Sequence, residues 1–239
     1  MLRSLPDSFL SVLYPEECRV CGGEVEALSD GVACSNCWNA TKIFTGDETL
    51  CGKCGAFSFD GPSQSAAFCR KCDDQDFDLG IAVGLYEKAL AASVLSLKKT
   101  PSVSGRTKSL LKETANRISD RADLVVPIPL SPRRLHERGF NQAALIGKVI
   151  SRHLGVELDE ATLIRQVDTP MHRAGMDRKA RGMTVKNAFA VSRPKLVDGK
   201  NILLADDVLT SGETVSSCAK VLKKFGAARV DVITLARAV

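Results

Sequence analysis

The stretch that decides the fold is Ile202-Leu-Leu-Ala-Asp-Asp-Val-Leu-Thr-Ser-Gly-Glu-Thr214, close to the carboxyl end of a chain of 239 residues. Its apolar first half predicts a buried parallel strand over Asn201 to Ala205. That strand would present Asp206 and Asp207 at the carboxyl edge of a sheet, where open α/β folds bind their ligands. The second half is rich in hydroxyls and contains a glycine, which predicts a loop that opens a helix. Closely spaced backbone amides and the positive end of the helix dipole suit such a loop for phosphate.

The two halves together predict a site for a phosphorylated pentose. Carboxylates suited to ribose hydroxyls or to a metal ion lie one loop away from a cradle suited to phosphate. The loop residues that we predict to bind substrate are Thr210, Ser211, Gly212, Glu213 and Thr214. An ordinary strand–turn–helix with two exposed aspartates is the alternative. A nucleoside triphosphatase is disfavoured because the chain has no Gly-x-x-x-x-Gly-Lys-Ser/Thr loop.

Alternating strand and helix patterns begin at Phe77 and continue on both sides of this stretch. Such alternation is the signature of an α/β domain with a mainly parallel sheet flanked by helices. The pattern predicts strands over Leu79–Tyr86, Leu124–Ile128 and Val230–Leu235, a helix over Thr107–Ser119, and a further helix capped by Asn141. We place the domain boundary at residue 78, which gives a module over residues 1–78 and an α/β domain over residues 79–239.

The first module is defined by its cysteines. Eight of the nine cysteines form four Cys-x-x-Cys pairs, namely Cys18 with Cys21, Cys34 with Cys37, Cys51 with Cys54, and Cys69 with Cys72. Pairs at this spacing direct two thiolates at one ion, and two pairs complete the four-sulfur shell that zinc prefers, so we predict two structural zinc sites. The repeated spacing and the lack of a secretion signal favour metal over a disulfide framework. The pairs are either sequential or interleaved. In the sequential arrangement 12 residues separate the two pairs of the first group and 14 those of the second, which suits compact hairpins and favours this arrangement.

Two single residues invite a functional interpretation that their surroundings do not favour. Cys218 shares one helical face with Val215, Ala219 and Leu222, which predicts a core thiol and not a nucleophile. Trp38 follows a zinc knuckle directly and is predicted to shield it, with stacking on a nucleic-acid base as the alternative.

Composition places the chain among soluble proteins. The hydrophobic share of 44% and the charged share of 26% are average for globular domains, which excludes wholesale disorder and an integral membrane protein. No apolar run reaches the length of a membrane span. Pro6 and Asp7 interrupt the apolar start of the chain, so a signal peptide is not predicted and we expect a cytoplasmic protein. A net charge of +5 is only weak support for a polyanionic partner.

Two basic segments are candidates for binding anions. One follows the proline-containing segment Val125–Leu130, and its guanidinium forks match the geometry of phosphate oxygens, although a solvated charge run is the alternative. The substrate-binding residues predicted there are Arg133, Arg134, Arg138, Gly139, Asn141 and Gln142. The other segment, Arg165 to Lys186, has six basic and two acidic residues and no periodicity, which predicts a positive flap over an anionic ligand or a contact with DNA phosphates.

These motifs carry a family resemblance. The segment Ile202–Thr214 resembles the thirteen-residue fingerprint of type I phosphoribosyltransferases. Together with Val125–Leu130, Arg133–Gln142, the four cysteine pairs and the ending Thr234–Arg237, it makes nearly the whole chain resemble the competence protein F family. The resemblance implies a double zinc ribbon followed by a type I phosphoribosyltransferase-like domain. It also implies a link to DNA uptake in natural transformation, with single-stranded DNA and a competence helicase as partners.

The resemblance also implies roles for the candidate residues. Asp206 and Asp207 would be the catalytic pair, acting on phosphoribosyl pyrophosphate bound with Mg²⁺ or binding a 5′-phosphorylated nucleotide. The loop Thr210–Thr214 would anchor the 5′-phosphate and the arginines would hold the leaving pyrophosphate, with positive charge developing at the ribose carbon. Three functions are compatible with these roles: catalytic transfer of the phosphoribosyl group, DNA handling without catalysis, and sensing of phosphoribosyl pyrophosphate. The acceptor of the phosphoribosyl group is not encoded in a recognisable motif.

Overall fold

A central five-stranded parallel sheet organises the chain in the computed structural model, which describes residues 15–48, 50–56, 69, 72–118, 120, 122–166 and 188–238. In chain order the described elements are α1 (Ser35–Asn39), β1 (Leu79–Leu85), α2 (Lys88–Leu97), α3 (Gly105–Asn116), β2 (Leu124–Pro127), α4 (Pro132–Arg138), α5 (Gln142–Leu154), β3 (Glu157–Leu158), β4 (Leu163–Arg165), β5 (Phe189–Val191), β6 (Asn201–Leu209), α6 (Glu213–Lys224) and β7 (Arg229–Arg237). The strand order in the sheet is β1-β7-β6-β2-β3, and each neighbouring pair is parallel. Strands β4 and β5 form a separate antiparallel pair. The predicted α/β class with a mainly parallel sheet is confirmed.

The two central strands run further than the sequence pattern predicts. Strand β6 continues past Ala205 to Leu209, because its pairing with β7 extends from Asn201 opposite Arg229, through Asp206 opposite Thr234, to Leu209 opposite Arg237. Ladder hydrogen bonds therefore hold two acidic residues in strand conformation although β propensity disfavours aspartate. As a consequence, Asp206 and Asp207 lie within the last part of the strand and not beyond its end.

Helices cover both faces of the sheet, and each face has its own apolar core. Helix α5 begins after Asn141, whose Oδ1 accepts a hydrogen bond from Ala143 N at 3.0 Å, so the predicted cap is confirmed. The helix packs closely on β2 and β3, since a Cβ placed on Gly147 would lie 2.9 Å from Leu158 Cδ1. Helix α3 begins at Gly105, two residues before the predicted start, because Ser104 Oγ accepts from Thr107 N.

The cysteine-rich module packs against the outer strand β1. The segment after the first two cysteine pairs runs along that edge, with Phe44 N donating to Val83 O and Leu85 N donating to Lys42 O, both at 2.9 Å. These contacts cover an edge that would otherwise present unpaired backbone groups. The segment Cys51–Ala56 lies at the start of the same strand, where Gly80 N donates to Lys53 O.

Two of the earlier expectations concern regions that the structure describes only in part. The predicted basic flap lies outside the described residues except for Arg165, the last residue of β4, and Gln166, which follows it. Within the described parts of the chain, no helix combines the length and the apolar character needed to cross a membrane.

Candidate functional site

The eight paired cysteines form two separate four-sulfur groups. The members of the first group are Cys18, Cys21, Cys34 and Cys37, and those of the second are Cys51, Cys54, Cys69 and Cys72. Within each group the sulfur atoms lie within 4.8 Å of one another. The sequential arrangement of the pairs is therefore confirmed, and the interleaved arrangement is excluded.

The distances between the sulfur atoms fit zinc. A tetrahedral ion with Zn–S bonds of about 2.3 Å requires sulfur–sulfur edges of about 3.8 Å. The Sγ atoms of Cys21 and Cys34 are 3.7 Å apart, and those of Cys51 and Cys72 are 3.8 Å apart. Disulfide sulfurs would be about 2.05 Å apart. Four thiolates around each ion leave no coordination position for water or substrate, so the sites are structural.

In each group, backbone amides donate hydrogen bonds that stabilise one cysteine as a thiolate. Cys34 N donates to Cys18 Sγ at 3.3 Å, and Cys69 N donates to Cys51 Sγ at 3.2 Å. Burial alone would raise the pKa of Cys18 and Cys51, but amide hydrogen bonds outweigh it and lower both pKa values to about 6. Burial and the neighbouring thiols raise the pKa of Cys72. Each group thus offers one thiolate near neutral pH to an arriving ion.

The acidic pair lies near the end of β6 with its side chains on opposite faces of the sheet, as neighbouring residues in a strand must. Asp207 is 8% exposed, and its Oδ2 lies 3.3 Å from Gln142 Nε2 and 3.4 Å from Lys98 Nζ. Asp206 Oδ1 accepts a hydrogen bond from Asp207 N at 2.8 Å. Helices α2 and α5 therefore supply the polar partners on the Asp207 face.

The surroundings of Asp206 raise the pKa of its carboxyl group. Burial, and next the charge of Asp207, raise the pKa of Asp206 well above its usual range, and the Asp207 amide and Lys98 oppose this only in part. The described residues therefore do not fully balance two ionised carboxylates. A cation or several hydrogen-bond donors arriving at this point would complete the site.

A chain of polar side chains connects the acidic pair to α4. Arg138 Nη1 donates to Gln142 Oε1 at 2.8 Å, and Gln142 in turn donates to Asp207. Asn141 Nδ2 donates to Ile128 O at 3.0 Å, which anchors the start of α5 to the end of β2. Gly139 ends α4 in the left-handed conformation, with φ +75°. The structure thus brings the segment Arg138–Gln142 to the acidic pair.

The other two arginines of α4 lie differently. Arg133 Nε is 3.5 Å from Glu137 Oε1, and both side chains are more than half exposed. The backbone amide of Arg134 donates to Ser131 Oγ at the start of the helix. The solvated arrangement of Arg133 matches the alternative that the sequence left open for this cluster, whereas Arg138 is engaged in the site.

The loop that the sequence predicts to bind phosphate, residues 210–214 and hereafter the phosphate loop, joins β6 to α6. Thr210 and Ser211 are exposed, and Glu213 and Thr214 form the partly exposed start of the helix. Gly212 adopts φ +80°, and its carbonyl accepts from Ser216 N at 2.7 Å to begin α6. The loop therefore presents hydroxyls and the amino end of a twelve-residue helix beside the acidic pair.

Gly212 is also closely packed. A Cβ at this position would lie 2.8 Å from Gln75 Oε1, and Gln75 Nε2 donates to Ser211 O at 3.4 Å. Because Gln75 would have to move away, we expect Gly212→Ala to lower affinity for a phosphorylated ligand about tenfold, equivalent to about 1.4 kcal/mol. Titration calorimetry measures this directly.

Gly155 provides the matched control. It has φ +69°, and a Cβ there would meet no atom within 4 Å among the described residues. Gly155→Ala and Gly212→Ala both pay about 1–2 kcal/mol for a left-handed backbone, so both melt earlier than the wild type. Only Gly212→Ala should bind ligand more weakly, and equal affinities for the two variants would contradict the close packing of the loop.

Three residues near the site were not identified from the sequence. Lys98 follows the last turn of α2, Gln75 follows the last cysteine of the second group, and Arg237 ends β7. Arg237 ends the segment Thr234–Arg237 that contributes to the family resemblance, but no motif assigns it a contact with the site. All three residues reach the site only through the packing of distant segments. Two other predictions are confirmed: Cys218 is fully buried, with a pKa raised by burial, and Trp38 is 2% exposed in the core beside Cys18 and Cys34.

The fold and site define a phosphoribosyltransferase-type domain joined to a double zinc ribbon. Residues 141–238 match the phosphoribosyl transferase domain family, and residues 9–73 match the double zinc ribbon domain family. The chain is 31% identical to the DNA utilization protein YhgH of Escherichia coli over 220 residues, which are 88% of this chain and 92% of the relative. It is 29% identical to competence protein F of Haemophilus influenzae over 232 residues, 92% of this chain and 96% of the relative. The chain belongs to the competence protein F family.

Two more distant similarities complete the comparison. The chain is 27% identical to competence protein ComFC of Bacillus subtilis over 233 residues, covering 87% of this chain and 85% of the relative. Among solved structures, the glutamine phosphoribosylpyrophosphate amidotransferase of Bacillus subtilis, complexed with ADP and GMP, aligns with a TM-score of 0.40 and 18% identity. That alignment covers 59% of this chain and 30% of the other.

Proposed function

We propose that this protein binds a 5-phosphorylated ribose, either phosphoribosyl pyrophosphate with Mg²⁺ or the 5′-phosphorylated end of a nucleotide, and acts in DNA uptake or utilization. The observation that carries the proposal is the close succession of Asp206 and Asp207 on β6 and the phosphate loop that opens α6. The link to DNA is supported by the names of the relatives, a DNA utilization protein and a competence protein.

Each group at the site has a chemical role in this proposal. The phosphate loop would hold the 5′-phosphate through hydroxyls and amides, and Asp206 and Asp207 would accept hydrogen bonds from the ribose hydroxyls. Carboxylate oxygens are also the ligands that Mg²⁺ prefers, so the acidic pair suits a magnesium ion that would neutralise pyrophosphate charge. Arg138, whose Nη1 donates to Gln142, would pair with a pyrophosphate.

Catalysis would need no covalent nucleophile. Positive charge that develops at the ribose carbon as pyrophosphate departs would be offset by the two carboxylates. The raised pKa of Asp206 means that binding of a cation would also return this group to its charged form. A sensor would use the same groups for binding alone.

Titration calorimetry of the zinc-loaded chain at two salt concentrations tests the proposal. The ligands are phosphoribosyl pyrophosphate with Mg²⁺, and a single-stranded oligonucleotide with and without a 5′-phosphate. Preference for the phosphoribosyl ligand, or for the 5′-phosphorylated oligonucleotide over its unphosphorylated match, supports the pocket. Binding of both oligonucleotides alike, with a steep loss at high salt and no phosphoribosyl binding, would instead establish a DNA scaffold, because backbone contacts release counterions. Pyrophosphate release in the presence of candidate acceptors then separates an enzyme from a sensor.

A further inference from the structure

One arginine joins the second four-cysteine group to the phosphate loop. Arg237, the last residue of β7, is 6% exposed. Its Nη1 donates to Leu209 O at 2.7 Å and also to Thr210 O and Ala238 O, while its Nη2 lies 3.8 Å from Cys54 Sγ. A single buried guanidinium thus contacts a zinc ligand with one nitrogen and the backbone that leads into the loop with the other.

A second contact runs in parallel with the first. Gln75 N donates to Cys72 O at 3.2 Å, and Gln75 Nε2 donates to Ser211 O. The backbone carbonyl of Gln75 is held by Lys53 Nζ at 2.6 Å, from the knuckle between Cys51 and Cys54. The second group therefore contacts the loop from two of its cysteine pairs, at Thr210 through Arg237 and at Ser211 through Gln75.

Charge makes the Arg237 contact sensitive to metal. Four thiolates around Zn²⁺ carry a net charge of about 2−, and the guanidinium keeps its positive charge at any relevant pH. With zinc bound, Arg237 is a buried cation beside an anionic centre, which is a favourable pairing. When the ion leaves, the guanidinium loses the anionic zinc centre that fixes its position and has the carbonyl oxygens of Leu209, Thr210 and Ala238 as its remaining partners.

The first four-cysteine group faces elsewhere. Trp38 Nε1 donates to Asp30 O at 3.0 Å, and Arg106 of α3 lies over the Trp38 ring and pairs with Asp30 at 3.1 Å. This group is packed against α3 and serves as an internal comparison for the second.

We propose that Arg237 is a positioning residue through which zinc in the second group holds the phosphate loop in its binding conformation, so that zinc and a 5′-phosphorylated ligand each raise the affinity of the other. The inference rests on the proposed function for the identity of the ligand. Thermodynamic linkage requires that the two effects be equal in size.

The test uses Arg237→Lys, which keeps the charge but cannot span the sulfur and the carbonyls with one fork. Its control is Arg229→Lys, at the opposite end of the same strand, where Arg229 Nε pairs with Asp231 at 2.8 Å. Calorimetry measures affinity for phosphoribosyl pyrophosphate with Mg²⁺, and equilibrium competition with a chelator measures zinc affinity with and without that ligand. The two metal groups are distinguished by the separate NMR signals of a cadmium isotope substituted for zinc.

We expect Arg237→Lys to bind the ligand about tenfold more weakly than Arg229→Lys does. In the wild type, saturating ligand should raise the metal affinity of the second group by a similar factor, shift its cadmium signal and leave the first group unchanged. In Arg237→Lys both changes should disappear. Wild-type affinity in Arg237→Lys, or a ligand effect on neither group or on both alike, would overturn the inference while leaving the proposed function intact.

A different result would identify failure of the proposed function itself. If the zinc-loaded wild type binds no phosphorylated ligand, hydrogen exchange of the amides in residues 210–214 decides the coupling by itself. Removal of the second zinc from the wild type should make these amides exchange faster, and zinc-loaded Arg237→Lys should show the same faster exchange. Both results together would support the connection between metal and loop. Exchange that does not respond to zinc would overturn it.

Discussion

Cys72→Ala is expected to reduce the zinc content from two ions per chain to one and to lower the melting temperature by at least about 10 °C. Cys72 is 2% exposed and lies within the second four-sulfur group, where its Sγ is 3.8 Å from that of Cys51. Structural zinc contributes roughly 10–16 kcal/mol of binding free energy to small domains, so loss of the ion together with one of its four ligands removes at least on the order of 5 kcal/mol of stability. For a chain of this length, that corresponds to about 10–20 °C.

Elemental analysis and calorimetric melting measure both effects. Cys218→Ala is the control, because Cys218 is fully buried in the core and belongs to neither metal group. It should keep two zinc ions and lose only the small amount of stability expected for a shortened core side chain. Two zinc ions in Cys72→Ala would show that the second group does not bind its ion through four thiolates.

Local patterns in the sequence were sufficient for the metal groups and for the parallel class of the sheet, although not for its strand order. Cys-x-x-Cys spacing determines which sulfur atoms meet within a knuckle, and the short segments between successive pairs favour sequential grouping, which the structure confirms. The apolar run before Asp206 predicts a buried parallel strand because both of its faces are covered. In each case the interacting residues are close in sequence or repeat with a fixed period.

The surroundings of the acidic pair could not be predicted in the same way. Lys98 and Gln142 both reach Asp207, although more than forty residues separate them along the chain. Arg237 reaches Cys54 across 183 positions. Such contacts depend on how helices and ribbons dock on the sheet, and no local period encodes that. The arginines of α4 show that residues of one local motif can have different partners. Arg138 donates to Gln142, whereas Arg133 pairs with Glu137 in solvent, because the helix directs the two side chains to different surroundings.

The acidic pair gives the prediction with the largest effect on binding. Asp206→Asn combined with Asp207→Asn should weaken binding of phosphoribosyl pyrophosphate with Mg²⁺ by at least about 100-fold. A hydrogen bond to a charged group contributes about 1.5–3 kcal/mol, and two such groups are lost. Asp231→Asn on β7 is the control, since Asp231 is a buried carboxylate paired with Arg229 away from the phosphate loop. Wild-type affinity in the double variant would remove the acidic pair from the proposed site.

The single variant Asp206→Asn should also be more stable than the wild type when no ligand is bound. Because the pKa of Asp206 is raised in the folded state, the native protein binds more protons than the unfolded chain above about pH 4, so stability falls as pH rises toward the folded pKa. Asparagine removes this penalty and keeps an oxygen for the Asp207 amide. We expect the variant to melt at a higher temperature than the wild type near pH 8 and at the same temperature below about pH 4.

Asp207→Asn should not share that gain, because Asp207 accepts from Gln142 and pairs with Lys98, whose charge would be left without its carboxylate. Melting curves of the two single variants across this pH range therefore separate their roles. Asp206→Asn would then melt at a higher temperature than the wild type and bind the ligand more weakly. That result would mean that Asp206 destabilises the fold electrostatically and is needed for ligand binding. Equal melting of Asp206→Asn and wild type at both ends of the range would contradict the raised pKa of Asp206.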